Sequence, residues 1–391
     1  MKAELVLRNA RIQSRGGLID PGFLAVSEGR LVAIGRDEDA LSIEADTEVD
    51  CGGRTLTPGL IDVQVNGGGG YMFSMADERS QYEEIARAHA RLGVTTICPT
   101  IVTGPPEQML RAVELAASLC AEDPSDRARC AGIHVEGPFL DYEKRGGHTP
   151  RYLRAPSLEF AEELLDRGDG WIKIVTLAPE LPGAMQLVDF FAARGVFVSA
   201  GHTGADARVM HEAAGRGMSG VTHIFNGMEG LHNRVPGVAG VALSNDSLTV
   251  GLIADLLHVS PEVCTMVLRA KPKEKLYLTT DAVSPMGSTQ GSFDLYGVTV
   301  TVRDGGCYTD GGVLAGTATP LARMVGNVKD KLGFGEREAL QLATTTPATV
   351  VGRNADLGVL CVGAIADIAI FDRDFNPWKV FVGGKNIEIG N

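Results

Sequence analysis

Between residues 60 and 281 the chain repeats one pattern eight times: a short β-prone run, in many cases followed by a stretch with helical periodicity. The runs are 60–67 (LIDVQVNG), 95–102 (TTICPTIV), 131–137 (AGIHVEG), 172–178 (IKIVTLA), 196–202 (VFVSAGH), 220–226 (GVTHIFN), 248–254 (LTVGLIA) and 275–281 (KLYLTTD). Helical patterns fall at 78–92, 107–120, 182–194 and 205–217, and again at 318–332 and 336–345. Strands alternating with helices build a parallel sheet covered on its faces. Eight of them over roughly 290 residues suit a (β/α)8 barrel. An open doubly wound sheet is the rival, and the count of eight favours the barrel.

Residues 1–55 and 350–391 read differently, as short strands and turns without a convincing helix. They predict a small β-sandwich domain built from both chain termini, with 56–349 folding as the barrel. Two connections break the pattern. Residues 228–247 are Gly-rich and poor in helix signal. Around 290–315, two D-G-G turns sit between β-prone runs and predict a β-ribbon insertion near the barrel mouth.

The net charge of −13 argues against nucleic acid and anionic membrane as partners. No apolar run approaches the roughly 18 residues of a membrane span, and the first residues lack a signal-like apolar core. Seven scattered cysteines without a C-x-x-C pair suit reduced thiols and a cytoplasmic address.

Barrel enzymes place their chemistry at the C-terminal ends of the strands. Here run three ends in His134-Val135-Glu136, run five in His202, run six carries His223 and then Asn226-Gly227, and run eight ends in Asp281. Glu136, His202 and His223 form a plausible three-ligand set for one divalent metal, leaving a position open for water. Asp281 is placed to accept a proton from that water and return it to a leaving group. Any one of these residues alone is better explained by packing or turn capping. Their joint placement on four strand ends reverses that preference.

His134, two residues before Glu136, faces the same way but deeper, and suits a supporting role. His89 and His211 lie on helical patterns and are expected packed or solvated, and His232 is ambiguous. Gly67 to Gly70 form a weak phosphate signal, better read as a turn or a close backbone approach. Asn226, Gly227 and Arg234 offer an amide, a backbone N–H and a guanidinium, a set suited to phosphate.

LTPGLIDVQVNGGGG, GIHVEGPFL, GGHTPRYLR, SAGHTGA, THIFNGM and LTTDAVSP together resemble the N-acetylglucosamine-6-phosphate deacetylases of the amidohydrolase superfamily. The resemblance runs from about Leu56 to Pro347. It implies hydrolysis of the acetamide of N-acetylglucosamine 6-phosphate to glucosamine 6-phosphate and acetate, in amino-sugar catabolism. It implies Glu136, His202 and His223 as metal ligands, Asp281 as acid/base, and His148 as the group that polarises the carbonyl. Asn226, Gly227 and His258 would surround the sugar phosphate. Arg234 would reach in from the partner of a homodimer.

Many amidohydrolases carry His-x-His at the end of strand one and bind two metals; here the positions are Gln64 and Asn66. Neutral amides are poor ligands beside imidazole. One tightly held metal per subunit is therefore expected, Zn2+ first, with Fe2+, Co2+ or Mn2+ able to use the same ligands. The two amides are expected instead to serve as substrate-binding groups in the polar mouth, hydrogen-bonding the metal-bound water, the substrate or each other. Glu229 and Leu256-Leu257 depart from the family's commoner forms. They leave open a related N-acyl substrate, such as N-acetylgalactosamine 6-phosphate. A non-catalytic sugar-phosphate-binding barrel is the rival of another class.

Overall fold

The structure is a computed structural model that describes residues 2–14 and 16–389. Eight parallel strands follow one another in chain order. They are β1 (Leu60–Val65), β2 (Val94–Val102), β3 (Ile133–Glu136), β4 (Ile172–Leu177), β5 (Phe197–Ala200), β6 (Gly220–Val221), β7 (Thr249–Leu252) and β8 (Leu276–Leu278). The ring closes just beyond β8. Val65 bridges Ala282 in parallel. The N–H groups of Asn66 and Gly67 donate to the Ala282 carbonyl at 2.8 and 3.0 Å, and Asp281 N–H donates to the Gln64 carbonyl at 3.1 Å. Buried Asp62 fastens the same seam by accepting the hydroxyls of Thr279 (2.7 Å) and Thr280 (2.5 Å). The closed ring excludes the open sheet.

Around it lie α1 (Arg79–Arg91), α2 (Pro106–Cys120), α3 (Leu158–Gly168), α4 (Ala184–Ala192), α5 (Ala207–Gly215), α6 (Gly237–Ser244), α7 (Pro261–Ala270) and α8 (Leu321–Gly326). In α2, Pro106 starts the helix and the buried Leu110, Val113, Ala117 and Cys120 fall on one face, the i, i+3, i+4 stripe that packs against strands. Residues 228–247, expected without helix, contain α6. Its run GVAGVALS has no polar face to generate a periodic signal, and five of its eight residues are buried. The helices α3 and α7 are not singled out by periodicity, although Ser157 and Ser260 cap them by accepting from Phe160 N–H and Val263 N–H. The expected helix 318–332 breaks after Gly326 into a wider π turn at Asn327–Lys331.

The two ends of the chain share one sheet. Lys2–Ser14, Gly17–Ser27 and Arg30–Arg36 form an antiparallel meander. Glu44–Asp50 and Thr55–Pro58 pair in parallel with its first strand. Ile368–Phe371 joins Thr55–Pro58 and is followed by Pro377–Val382 and Lys385–Ile387. Apolar side chains fill both faces, with Leu5, Leu7 and Leu24 in one buried cluster and Val6, Phe23 and Ala25 in another, giving a sandwich-like unit. Asp367 ties it to the barrel, accepting from Arg129 Nε at 3.3 Å and from Gly383 N–H at 2.8 Å. The insertion after β8 is four antiparallel strands between Ser292 and Thr317.

Candidate active site

A cavity of about 240 Å³ opens at the C-terminal ends of the strands. Asn66, Glu136, His148, His202, His223, Asn226, Gly227, His258 and Asp281 all line it. Gln64 reaches its floor through Glu136 and Asp281. Arg234 does not line it and is exposed, so within one chain the expected grouping of Arg234 with Asn226 and Gly227 is not formed.

Three ligand-type atoms converge. Glu136 Oε1 lies 3.2 Å from His202 Nε2 and 3.0 Å from His223 Nε2, and the two imidazole nitrogens are 3.1 Å apart. Nitrogen and oxygen ligands held about 2.0–2.1 Å from one tetrahedral ion sit roughly 3.3 Å from each other. The His202 tautomer supports the same reading. Its Nδ1 lies 2.9 Å from the Lys144 carbonyl, an acceptor, so Nδ1 carries a proton and Nε2 is the ring atom turned to the cluster. Once Nε2 gives up its own proton, its lone pair faces a carboxylate oxygen. A cation relieves such a cluster of acceptors. His148 also falls within 4.8 Å of Glu136 and His202 by its nearest ring nitrogen. The tighter Glu136–His202–His223 spacing fits a ligand set better, and His148 stands beside it.

The local backbone is strained where these groups sit. His202, His223 and Asp281 have φ of 49°, 30° and 58°, the left-handed region that side chains with a Cβ avoid. Each costs of the order of 1–3 kcal/mol, a strain that concentrates at functional sites. After the two regular residues of β6, the chain leaves the expected 220–226 strand, which turns His223 into the mouth.

The two carboxylates are driven apart. Burial pushes Glu136 up, but hydrogen bonds and charge from His202 and His223 outweigh it and hold Glu136 well below the usual carboxylate range. Burial and the Glu136 charge push Asp281 above its ordinary value. The two carboxyls are thus separated, Glu136 toward the anion and Asp281 toward the protonated form. Burial pushes His148 down to about 3, so its ring is neutral. Its buried Nδ1 has no partner, leaving that position for a ligand. Burial likewise pushes His134 down to about 4. It is fixed by the Val63 carbonyl and Thr176 Oγ1 and contributes no ligand.

Gln64 and Asn66 act as donors. Gln64 Nε2 bridges Glu136 and Asp281, while Asn66 Nδ2 donates to Asp281 Oδ1 at 2.7 Å. Nearby, Asp255 accepts from His258 Nδ1 at 2.7 Å, which aims the other ring nitrogen of His258 at the cavity. Asp255 was not among the expected site residues, although its D-x-x-H spacing is a turn signal. The insertion was expected near the mouth, but its contribution of Leu295, Tyr296 and Leu314 to the wall had no sequence signal.

The amidohydrolase family model matches residues 55–387. Human N-acetylglucosamine-6-phosphate deacetylase is 36% identical over 97% of this chain and 95% of that protein. An N-acetylgalactosamine-6-phosphate deacetylase from a Shewanella strain is 34% identical over 97% of this chain and 95% of its own length. The crystal structure of N-acetylglucosamine-6-phosphate deacetylase from Pasteurella multocida has a TM-score of 0.91 at 34% identity, covering 98% of this chain and 99% of that one. A mutant of the Mycobacterium smegmatis enzyme, in complex with N-acetyl-D-glucosamine-6-phosphate, has a TM-score of 0.89 at 29% identity over 99% and 100%. Matched along nearly all of its length, the chain belongs to the amidohydrolase family.

Proposed function

We propose that this enzyme hydrolyses the acetamide of N-acetylglucosamine 6-phosphate to glucosamine 6-phosphate and acetate. The observation that carries the reading is the meeting of Asp281 with the Glu136–His202–His223 cluster at one cavity floor, through Gln64. Pure binding needs no proton carrier beside a ligand cluster, which disfavours the non-catalytic alternative.

Glu136, His202 and His223 would hold one divalent ion, Zn2+ by preference, which supplies Lewis acidity at the acyl oxygen and acidifies water. His148, neutral and unpartnered at Nδ1, donates a hydrogen bond to the acyl oxygen as negative charge develops there. Asp281 takes the proton of the attacking water and returns it to the sugar nitrogen as the C–N bond breaks. Gln64 and Asn66 hold the Asp281 carboxylate in place during that transfer. Asn226, Gly227 and His258 face the sugar and its phosphate, and Arg234 completes the phosphate site of a partner subunit in a homodimer. Seven free thiols suit a reducing, cytoplasmic setting.

The test is acetate release from N-acetylglucosamine 6-phosphate by protein stripped of metal and then resupplied with Zn2+. Metal-dependent release is expected. No release with metal bound refutes the substrate. The galactosamine epimer is the second reading, because relatives of similar identity carry that name, and the ratio of rates on the two epimers decides between them.

A further inference from the structure

Among the described residues, no lysine or arginine lines the cavity; its basic groups are four histidines. A phosphate dianion placed there has no permanent cation from its own chain in the cavity wall. One candidate, Lys144, lies two residues before the lining Gly146. The Lys144 carbonyl anchors His202, and a Cβ on Gly227 would come within 3.0 Å of the same carbonyl oxygen. The Lys144 backbone is therefore pressed against the segment that carries Asn226 and Gly227. Its ammonium, however, is occupied: Nζ lies 2.5 Å from Glu229 Oε1, two residues beyond Gly227. The partners are unequal. The Lys144 side chain is 25% exposed and the Glu229 side chain 58%. The lysine is the better-held member, and the glutamate can turn out into water at little cost, since exposed pairs contribute about 0–1 kcal/mol.

We propose that Lys144 is a recognition residue for the anionic end of the substrate and that Glu229 is its built-in competitor. The inference rests on the sugar-phosphate reading above. In the free enzyme Glu229 neutralises Lys144. A phosphate carrying about −1.5 to −2 charge displaces the single carboxylate and takes the ammonium. Glu229 then sets how strongly an anion must compete to enter, and an uncharged sugar cannot displace it.

Two substitutions with opposite expected signs test this. Lys144→Met leaves the backbone carbonyl that holds His202 and removes only the ammonium. It should raise KM for N-acetylglucosamine 6-phosphate about fivefold. Glu229→Gln should lower KM about twofold by freeing the lysine. The inhibition constant of inorganic phosphate should move in parallel with each, and both effects should shrink as ionic strength rises. Lys144→Arg, which keeps the charge, should recover most of the loss. If both substitutions raise KM alike, the pair is only a tie across the mouth and the proposal falls. It falls equally if phosphate inhibition ignores either change. If the unaltered enzyme releases no acetate from the sugar phosphate, the functional reading fails on its own. Calorimetric titration of the three proteins with inorganic phosphate then still decides the role of Lys144.

Discussion

Gln64 grips Asp281 and Glu136 with a single nitrogen: Nε2 lies 3.0 Å from Asp281 Oδ1 and 3.1 Å from each Glu136 oxygen. Two buried carboxylates this close to one donor repel each other, and the amide N–H groups offset that repulsion. Gln64→Leu keeps much of the volume and removes the donor. The expected result is a fall in kcat/KM of about 10- to 100-fold, the cost of leaving buried charges short of a partner. Unchanged steady-state kinetics would remove Gln64 from the site.

Asp281 carries a different expectation. Asn at this position keeps the shape and the contact with Asn66 in altered form but cannot carry the proton. Asp281→Asn should lower kcat by about 10²- to 10⁴-fold while substrate still binds, as read by calorimetry. Near-normal turnover would assign the proton transfer to another group.

Glu136 is the anionic member of the proposed ligand set, held ionised by two imidazoles. Glu136→Gln replaces it with a neutral amide, a poor ligand beside imidazole. Elemental analysis of the purified variant should find bound divalent metal well below one per chain, while circular dichroism stays native. Full occupancy in that variant contradicts the ligand assignment.

The barrel was legible because its strands are short apolar runs repeated eight times, and because Glu136, His202 and Asp281 stand just where such runs end. Gln64 and Asn66 were readable as same-side residues from the two-residue period of a strand. What sequence could not carry was three-dimensional strain and seam geometry. The positive φ of His202, His223 and Asp281 carries no glycine at those positions to signal it. The uniformly apolar α6 has no periodicity to read. Lys144 contributes through its backbone carbonyl, a group every residue has, so its place behind His202 has no sequence signature.

Asp255 gives a pH-dependent expectation. Burial pushes its carboxyl up, but hydrogen bonds from His258 and the Leu257 amide outweigh it and leave the group below its ordinary value. The folded-state pKa is therefore lower than the unfolded one. The carboxylate stabilises the fold above about pH 4, and this contribution is lost as pH falls through the folded pKa. Asp255→Asn should cost about 2 kcal/mol at pH 7, measured by urea unfolding. The gap to the unaltered protein should close as pH drops below about 4. A gap that persists in acid would mean that packing, and not charge, explains the loss.

Arg234 is exposed and lies outside the cavity of its own chain. If it serves the partner's phosphate site, its loss and the loss of Asp281 belong to different subunits. Arg234→Ala should raise KM for the sugar phosphate, and Asp281→Asn should cut kcat by about 10²- to 10⁴-fold, each alone. When the two variants are unfolded together and refolded at equal concentration, half of the dimers are mixed. In each mixed dimer the site with Asp281 intact receives Arg234 from the Asp281→Asn partner, while the other site lacks both. About one site in four then regains the unaltered KM. Activity at low substrate should rise well above the mean of the two variants refolded separately. A mixture no more active than that mean places Arg234 outside the partner's site.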